Sequence, residues 1–164
     1  MKRASLLFDC IVIIVLLASC SANRSIHRAT EKIEGTWQLQ KIVSEGVTGN
    51  INIQLFNEAD FQCFIGSTWQ FSDDIKGNYS FRATTGEHNC VAVNRMIKWK
   101  IYSSADSPML LQFKRLGTDG KEIDPNYSGF IFTIIQSDNH QMQLRSDVTF
   151  EGKPAAFIYN FIKI

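Results

Sequence analysis

A two-residue alternation of apolar and polar side chains recurs from Gly35 onward and constrains the fold more than any other feature. It is clearest in the segments GTWQLQKI, STWQFS, GNYSFRA, RMIKWKIY, PMLLQFKR and HQMQLRSDVTF. This period is typical of strands that have one buried face and one wet face. Two further segments, GFIFTII and AAFIYNFI, are apolar on both faces and are predicted to be central strands or strands packed on both sides. The chain is therefore predicted to be all-β.

Short turns rich in Asp, Asn, Gly, Ser and Pro separate these segments, and such short links require antiparallel neighbours. Many short antiparallel strands predict a sandwich or a closed barrel, and closure removes the sheet edges that would otherwise aggregate. We predict an eight-stranded up-and-down barrel, whose interior is about wide enough for one small ligand. A short helix is expected at residues 57–60, with Phe56, Phe61 and Phe64 on its buried side. The longer loop 117–129 is a candidate lid or edge loop.

The N-terminus carries the features of a targeting signal. Lys2 and Arg3 precede an apolar run, Cys10 to Ala18, that is too short to span a bilayer as a lasting helix. The run ends in Leu-Ala-Ser-Cys, which resembles the lipobox of bacterial lipoproteins. The resemblance implies that residues 1–19 are a signal peptide and that the Cys20 sulfur is lipidated, which anchors the chain in a membrane. The alternative is a plain secreted protein in which Cys20 is incidental.

The segment after the signal indicates where the protein resides. Residues 20–33 contain no clear apolar pattern and are predicted to be the lipidated Cys and a flexible tether, which leaves 34–164 as the barrel domain. Ser21 follows the lipidated Cys, and by resemblance to lipoprotein sorting in diderm bacteria this favours the outer membrane. The tether lacks an acidic cluster, so we expect the protein to face the periplasm.

Two cysteines, Cys63 and Cys90, remain once Cys10 leaves with the signal and Cys20 carries lipid. An even pair in an oxidising compartment predicts a disulfide. A metal site is not expected, because no second Cys or His lies at metal-ligand spacing near Cys63. The chain has 17 Lys and Arg against 16 Asp and Glu, so its charge does not indicate a nucleic-acid partner.

The sequence contains no motif of a known catalytic site: no His-Glu-x-x-His, no Gly-x-Ser-x-Gly and no phosphate loop. The carboxylate pairs Glu58/Asp60 and Asp73/Asp74 are interpreted as capping or solvated groups, and His88 and His140 as solvated loop residues. We therefore expect no enzyme activity and no cofactor.

The opening Gly35-Thr36-Trp37 of an antiparallel meander resembles the lipocalin superfamily. With the lipobox and the segments FNEADFQCFIGSTWQF and IKWKI, the chain is similar to small lipocalin-like lipoproteins of Gram-negative anaerobes. In lipocalins the Trp of this motif plugs the closed end of the barrel beneath a cationic side chain from a late strand. The resemblance implies these roles for Trp37 and Arg145.

The barrel interior is the candidate binding site. The residues that we expect to line it are Trp69, Phe71, Tyr79, Phe81, Trp99, Phe113 and Phe132. The favoured hypothesis is a membrane-anchored protein that binds a small hydrophobic or amphipathic ligand in the cell envelope. In the alternative, these side chains fill the barrel, and the protein is a protein-binding module such as an envelope-complex subunit or an inhibitor of a lytic enzyme.

Overall fold

The structure is a computed structural model that describes residues 24–47, 53–86, 88–103, 107–150 and 152–164 of the chain. The predicted signal peptide, residues 1–19, and the predicted lipidation site Cys20 lie outside these described residues. Among the described residues, none of the helices has the length and apolar character that crossing a membrane would require.

Eight antiparallel strands close into a barrel, which confirms the predicted fold class. The barrel strands are β1 (Gly35–Glu45), β4 (Thr68–Phe71), β5 (Lys76–Phe81), β6 (Val93–Tyr102), β7 (Leu110–Leu116), β8 (Phe130–Ser137), β9 (Gln141–Phe150) and β10 (Lys153–Lys163). Their order is β1-β10-β9-β8-β7-β6-β5-β4, and β1 pairs with β4 to complete the circle. Consecutive strands are neighbours, as in the up-and-down barrels of lipocalin-like folds.

One end of the barrel, the closed end, carries the first residues of β1 and the last residues of β10. A helix, α1 (residues 24–33), precedes β1 at this end. The prediction of a flexible tether is therefore wrong for residues 24–33. Ala29 and Ile33 are buried and Ile26 packs against the same core, so three apolar residues at helical spacing dock α1 on the barrel.

The opposite end, the mouth, carries the connections β1–β4, β5–β6 and β7–β8. Residues 53–67, here named the mouth segment, contain β2 (Gln54–Leu55), β3 (Ala59–Asp60) and helix α2 (Phe61–Phe64). The prediction of a helix at residues 57–60 is wrong in position, because residues 59–60 pair with residues 54–55 as a small ladder. The helix begins after Asp60, whose carboxylate accepts a hydrogen bond of 2.8 Å from the Gln62 N–H.

The Cys63–Cys90 disulfide ties the mouth segment to the β5–β6 connection. This confirms the pairing predicted from the sequence. The two Cα atoms are 5.6 Å apart, and the bond closes a loop with a sequence separation of 27. The mouth segment is thus fixed covalently to a second loop of the mouth.

Candidate functional site

The seven aromatic residues predicted to line the interior are all buried, and the barrel brings them together. Trp69, Tyr79 and Phe113 form one connected set of ring contacts, with centroids 4.7 to 6.3 Å apart. Phe132 stacks on Phe113, and Phe81 packs beside the mouth segment on Phe64. Trp99 and Phe71 lie towards the closed end, where the Trp99 indole donates to the Ser72 and Lys76 carbonyls.

A side chain from the mouth segment, Phe56, occupies the centre of this aromatic interior. Its ring centroid lies 5.1 to 6.4 Å from those of Phe64, Trp69, Tyr79, Phe113, Phe130, Phe132 and Tyr159. These rings come from five barrel strands and from α2, so Phe56 is enclosed on several sides. The centre of the barrel is therefore filled by a residue of a connection rather than by a barrel strand.

The backbone that delivers Phe56 to this position is strained. Phe56 has φ = 53° and Asn57 has φ = 51°, in the left-handed region that bulky residues rarely adopt. Asn tolerates this region, but a Phe there costs on the order of 1 kcal/mol or more. Packing of the Phe56 ring and the contacts of the next residues must offset that cost.

Glu58, two residues after Phe56, lies in a buried polar cluster. Its carboxylate accepts two hydrogen bonds from Arg95, from Nε at 2.9 Å and from Nη2 at 2.7 Å, and a third from the Tyr79 hydroxyl at 2.7 Å. Burial alone would raise the pKa of Glu58, but these hydrogen bonds and the charges of Arg95 and Arg115 hold that pKa below its usual value. Glu58 is thus a carboxylate, with Arg95 bound in a bidentate manner.

Arg115 completes the cluster. Its guanidinium donates to the Asn57 carbonyl at 3.0 Å, to Glu58 at 3.4 Å and to Asp124 at 2.6 Å. The side chain is 7% exposed, and within the described part of the chain its Nε–H has no hydrogen-bond partner. Burial raises the pKa of the Tyr79 phenol, and its hydrogen bond to Glu58 raises that pKa further, so Tyr79 remains a donor.

The buried role of Glu58 corrects the interpretation of Glu58 as a capping or solvated group. That interpretation holds for Asp60, which caps α2, and for the exposed pair Asp73/Asp74. The sequence did contain a signal for the cluster. Arg95 has the same strand parity as Ile97 and Trp99, and Arg115 has that of Phe113, so alternation places both arginines on inward faces. Inward-facing arginines in a barrel interior need a carboxylate partner.

A cavity of about 370 Å³ lies beside Phe56, between the mouth segment and strands β8 to β10. Its wall includes Phe130, Phe132, Val148, Phe157 and Tyr159. The Arg115 guanidinium lies 5.9 Å from the centroid of the Phe130 ring, which places the polar cluster directly behind this wall. An apolar space and a charged group therefore adjoin each other at the mouth.

At the closed end, Trp37 is buried and its indole donates to the Ile33 carbonyl at 2.7 Å. The cation over its ring is Lys163, at 5.1 Å from the centroid, which corrects the assignment of Arg145. Lys163 pairs with Trp37 across β1 and β10, whereas Arg145 points outwards. Arg145 forms ion pairs there with Glu45 at 2.6 Å and with Asp147 at 2.8 Å.

A second hollow, of about 780 Å³, surrounds the disulfide on the outside of the mouth and has a largely polar wall that includes Gln38, Arg82 and His88. Among the described residues, no three His, Cys, Asp or Glu side chains lie where they could hold one metal ion.

The solved structure of bovine odorant binding protein, in complex with its natural ligand, is similar at 12% identity and a TM-score of 0.42. That similarity covers 81% of this chain and 72% of the bovine one. A comparison with curated proteins gives no match. A family model described as "Domain of unknown function (DUF5004)" matches residues 19–162, and the chain therefore belongs to that family.

Proposed function

We propose that the protein binds a small hydrophobic or amphipathic ligand inside the barrel, in the place that Phe56 takes in this structure. The observation that carries the proposal is that the Phe56 ring comes from a connection between strands and not from a barrel strand. Phe56 belongs to a strained connection between β1 and β4, so it can leave without opening the barrel wall. Of the other rings that contact Phe56, Phe64 lies on α2 of the same connection, and the rest lie on paired barrel strands.

The cavity of about 370 Å³ beside Phe56 supplies a route for entry. Withdrawal of the Phe56 ring would extend this space to Trp69, Tyr79 and Phe113, which now contact that ring. Pockets that bind drug-sized ligands are typically about 300 to 1,000 Å³, apolar, and fitted with a few polar groups. The enlarged interior would meet these criteria.

The cellular setting is part of the same proposal. The lipobox-like Leu-Ala-Ser-Cys at residues 17–20 supports lipidation of Cys20, and Ser21 supports an outer-membrane lipoprotein that faces the periplasm. In this setting the protein would hold an apolar compound in the cell envelope without catalysing a reaction. Metabolic labelling with an alkyne fatty acid tests the anchor, and the Cys20→Ser variant should lose the label.

Native mass spectrometry and thermal denaturation of the purified chain test the binding proposal. Dodecan-1-ol should form a one-to-one adduct and raise Tm. The Phe56→Ala variant should be destabilised by about 3 to 5 kcal/mol, and the alcohol should raise its Tm more than that of the wild type because ligand refills the space. Ile65→Ala is a matched control, since Ile65 is a half-exposed apolar residue of the same mouth segment. Absence of an adduct with both the wild type and Phe56→Ala would contradict the proposal.

A protein-binding module is the second candidate, and the loop 117–129 favours it. Backbone hydrogen bonds such as Gly117–Lys121 and Ile123–Arg115 order this loop at the mouth, where Ile123 and Tyr127 are exposed. Crosslinking in cells should then give a defined partner, and Ile123→Ala should abolish it while leaving ligand binding intact, because Ile123 is exposed and lies outside the cavity wall.

A further inference from the structure

The polar cluster at the mouth has a composition that a purely apolar ligand would not need. Tyr79, Arg95 and Arg115, here named the cationic cluster, all donate to the carboxylate of one residue, Glu58. Glu58 lies on the same strained turn as Phe56, two positions later. The mouth segment therefore presents an apolar group and an anionic group together, in the arrangement of an amphipathic molecule with an acidic head.

We propose, on the basis of the proposed function, that the cationic cluster binds the carboxylate of a straight-chain amphipathic ligand in place of Glu58, while the apolar chain takes the place of Phe56. The mouth segment would then act as an internal competitor that leaves the site when ligand enters.

Charge balance supports an anionic head. Arg95 and Arg115 are compensated by Glu58 and Asp124, so the four side chains together are neutral. If the mouth segment withdrew for a neutral ligand, Arg115, which is 7% exposed, would keep only Asp124 as an ionic partner, and Arg95 would lose the carboxylate that it binds in a bidentate manner. Leaving a buried charge uncompensated is strongly unfavourable, whereas exchange of one carboxylate for another preserves the balance.

The hydrogen-bonding capacity of Arg115 also exceeds what Glu58 and its neighbours use. The buried Arg115 Nε–H has no partner among the described residues, and buried donors of this kind are rare in folded proteins. A carboxylate that is free to orient, unlike one tethered to the backbone of the mouth segment, can accept from this donor.

The cluster is also placed to meet the head of a ligand whose chain lies in the interior. Tyr79 and Phe56 are in ring contact, at 6.4 Å between centroids, so the phenol ring faces the apolar site while its hydroxyl faces Glu58. Phe130 lines the cavity and lies beneath Arg115. Arg95 is 26% exposed, so the acidic head of the ligand would lie on the solvent side of the cluster, from which a ligand would enter.

Titration calorimetry at pH 7 with dodecanoate and dodecan-1-ol tests the inference, because the two probes share a chain and differ in the charge of the head. We expect dodecanoate to bind at least about tenfold tighter, the effect of one charge-assisted hydrogen bond. In Glu58→Gln the internal competitor loses its charge, so the affinity for dodecanoate should rise about tenfold or more while that for the alcohol changes less than about threefold. Glu45→Gln is the control: it removes an exposed carboxylate paired with Arg145 and should change neither affinity.

The outcomes separate the two proposals. Equal affinities for the two probes in the wild type would overturn the anionic head and leave the proposed ligand binding in place. No binding of either probe, including to Phe56→Ala, would overturn both. If Glu58→Gln does not fold, as judged by circular dichroism, the comparison of the two probes on the wild type still decides the question.

Discussion

The two ends of the barrel enclose aromatic side chains in different ways. At the closed end, Trp37 is covered by α1 and by Lys163, and its indole N–H is satisfied by the backbone of Ile33. Beside Trp37 the positive backbone angle belongs to a glycine, Gly35, at φ = 124°, where it costs little, although Ile75 in the β4–β5 turn of the same end also has a positive φ, of 60°. At the mouth, Phe56 and Asn57 adopt positive φ without being glycine, and they lie beside buried charges and a cavity.

This difference indicates a division of roles. Around Trp37 the closed end combines dense packing with satisfied polar groups, which is how a chain maximises stability. The mouth holds strain, a buried donor without a partner among the described residues, and an ionic cluster, features that persist in native proteins mainly where function requires them. Four experiments, from the largest expected effect to the smallest, test the comparison.

Of the four experiments, removal of the Trp37 ring at the closed end should lower stability most. We expect Trp37→Ala to lower the free energy of unfolding by about 3 to 5 kcal/mol, because it empties a fully buried site. Trp37→Phe keeps most of the ring, loses the hydrogen bond to Ile33, and should cost less. Urea denaturation measures both. The affinity for dodecan-1-ol should change less in Trp37→Ala than in Phe56→Ala. Equal changes in the two variants would contradict the assignment of ligand binding to the mouth and of stability to the closed end.

Replacement of both Cys63 and Cys90 by Ala should lower the free energy of unfolding by roughly 3 to 4 kcal/mol, because the loop they close regains its freedom in the unfolded chain. The bond also ties down the mouth segment, so ligand association measured by stopped-flow fluorescence should become faster. Unchanged association would mean that the disulfide does not restrain the segment that carries Phe56.

Acid should weaken the mouth through Glu58. The pKa of Glu58 is lower in the folded chain than its ordinary value of 4.5, so its contribution to stability is complete above pH 4.5 and is lost as pH falls through the folded pKa. Asp74 and Asp138 also have lowered pKa values and contribute acid dependence of their own. Glu58→Gln retains these two groups, so the difference between its pH–stability curve and that of the wild type isolates Glu58. Parallel curves below pH 4.5 would contradict this assignment.

Relief of backbone strain at the mouth should have the smallest effect. Asn57→Gly places glycine at φ = 51° and keeps the carbonyl that accepts from Arg115, so unfolding free energy should change by less than about 1 kcal/mol. Gly35→Ala makes the opposite change, because it puts a side chain where the closed end has a glycine at positive φ. A Cβ at Gly35 would lie 2.6 Å from Lys163 Cε, at a φ unfavourable for Ala, and should cost about 1 to 3 kcal/mol. Equal effects of the two substitutions in thermal denaturation would show that the backbone strain does not differ between Asn57 and Gly35.

The identity of the strands could be read from the sequence because alternation directly reports which side chains face the core. Trp69, Tyr79, Trp99 and Phe113 alternate with polar residues, and all four point inwards. The same rule places Arg95 and Arg115 inside. The disulfide followed from the count of cysteines and the expected compartment.

The sequence by itself therefore determined the class of fold, the inward faces of the strands and the Cys63–Cys90 pair, because these depend on local period and composition. Only the tertiary structure decided that residues 24–33 form a helix, that Lys163 rather than Arg145 covers Trp37, and that Phe56 and Glu58 fill the mouth. The physical reason is distance along the chain. Glu58 and Arg115 are 57 residues apart, and Lys163 meets Glu34 across 129, so their contacts exist only once the barrel has closed.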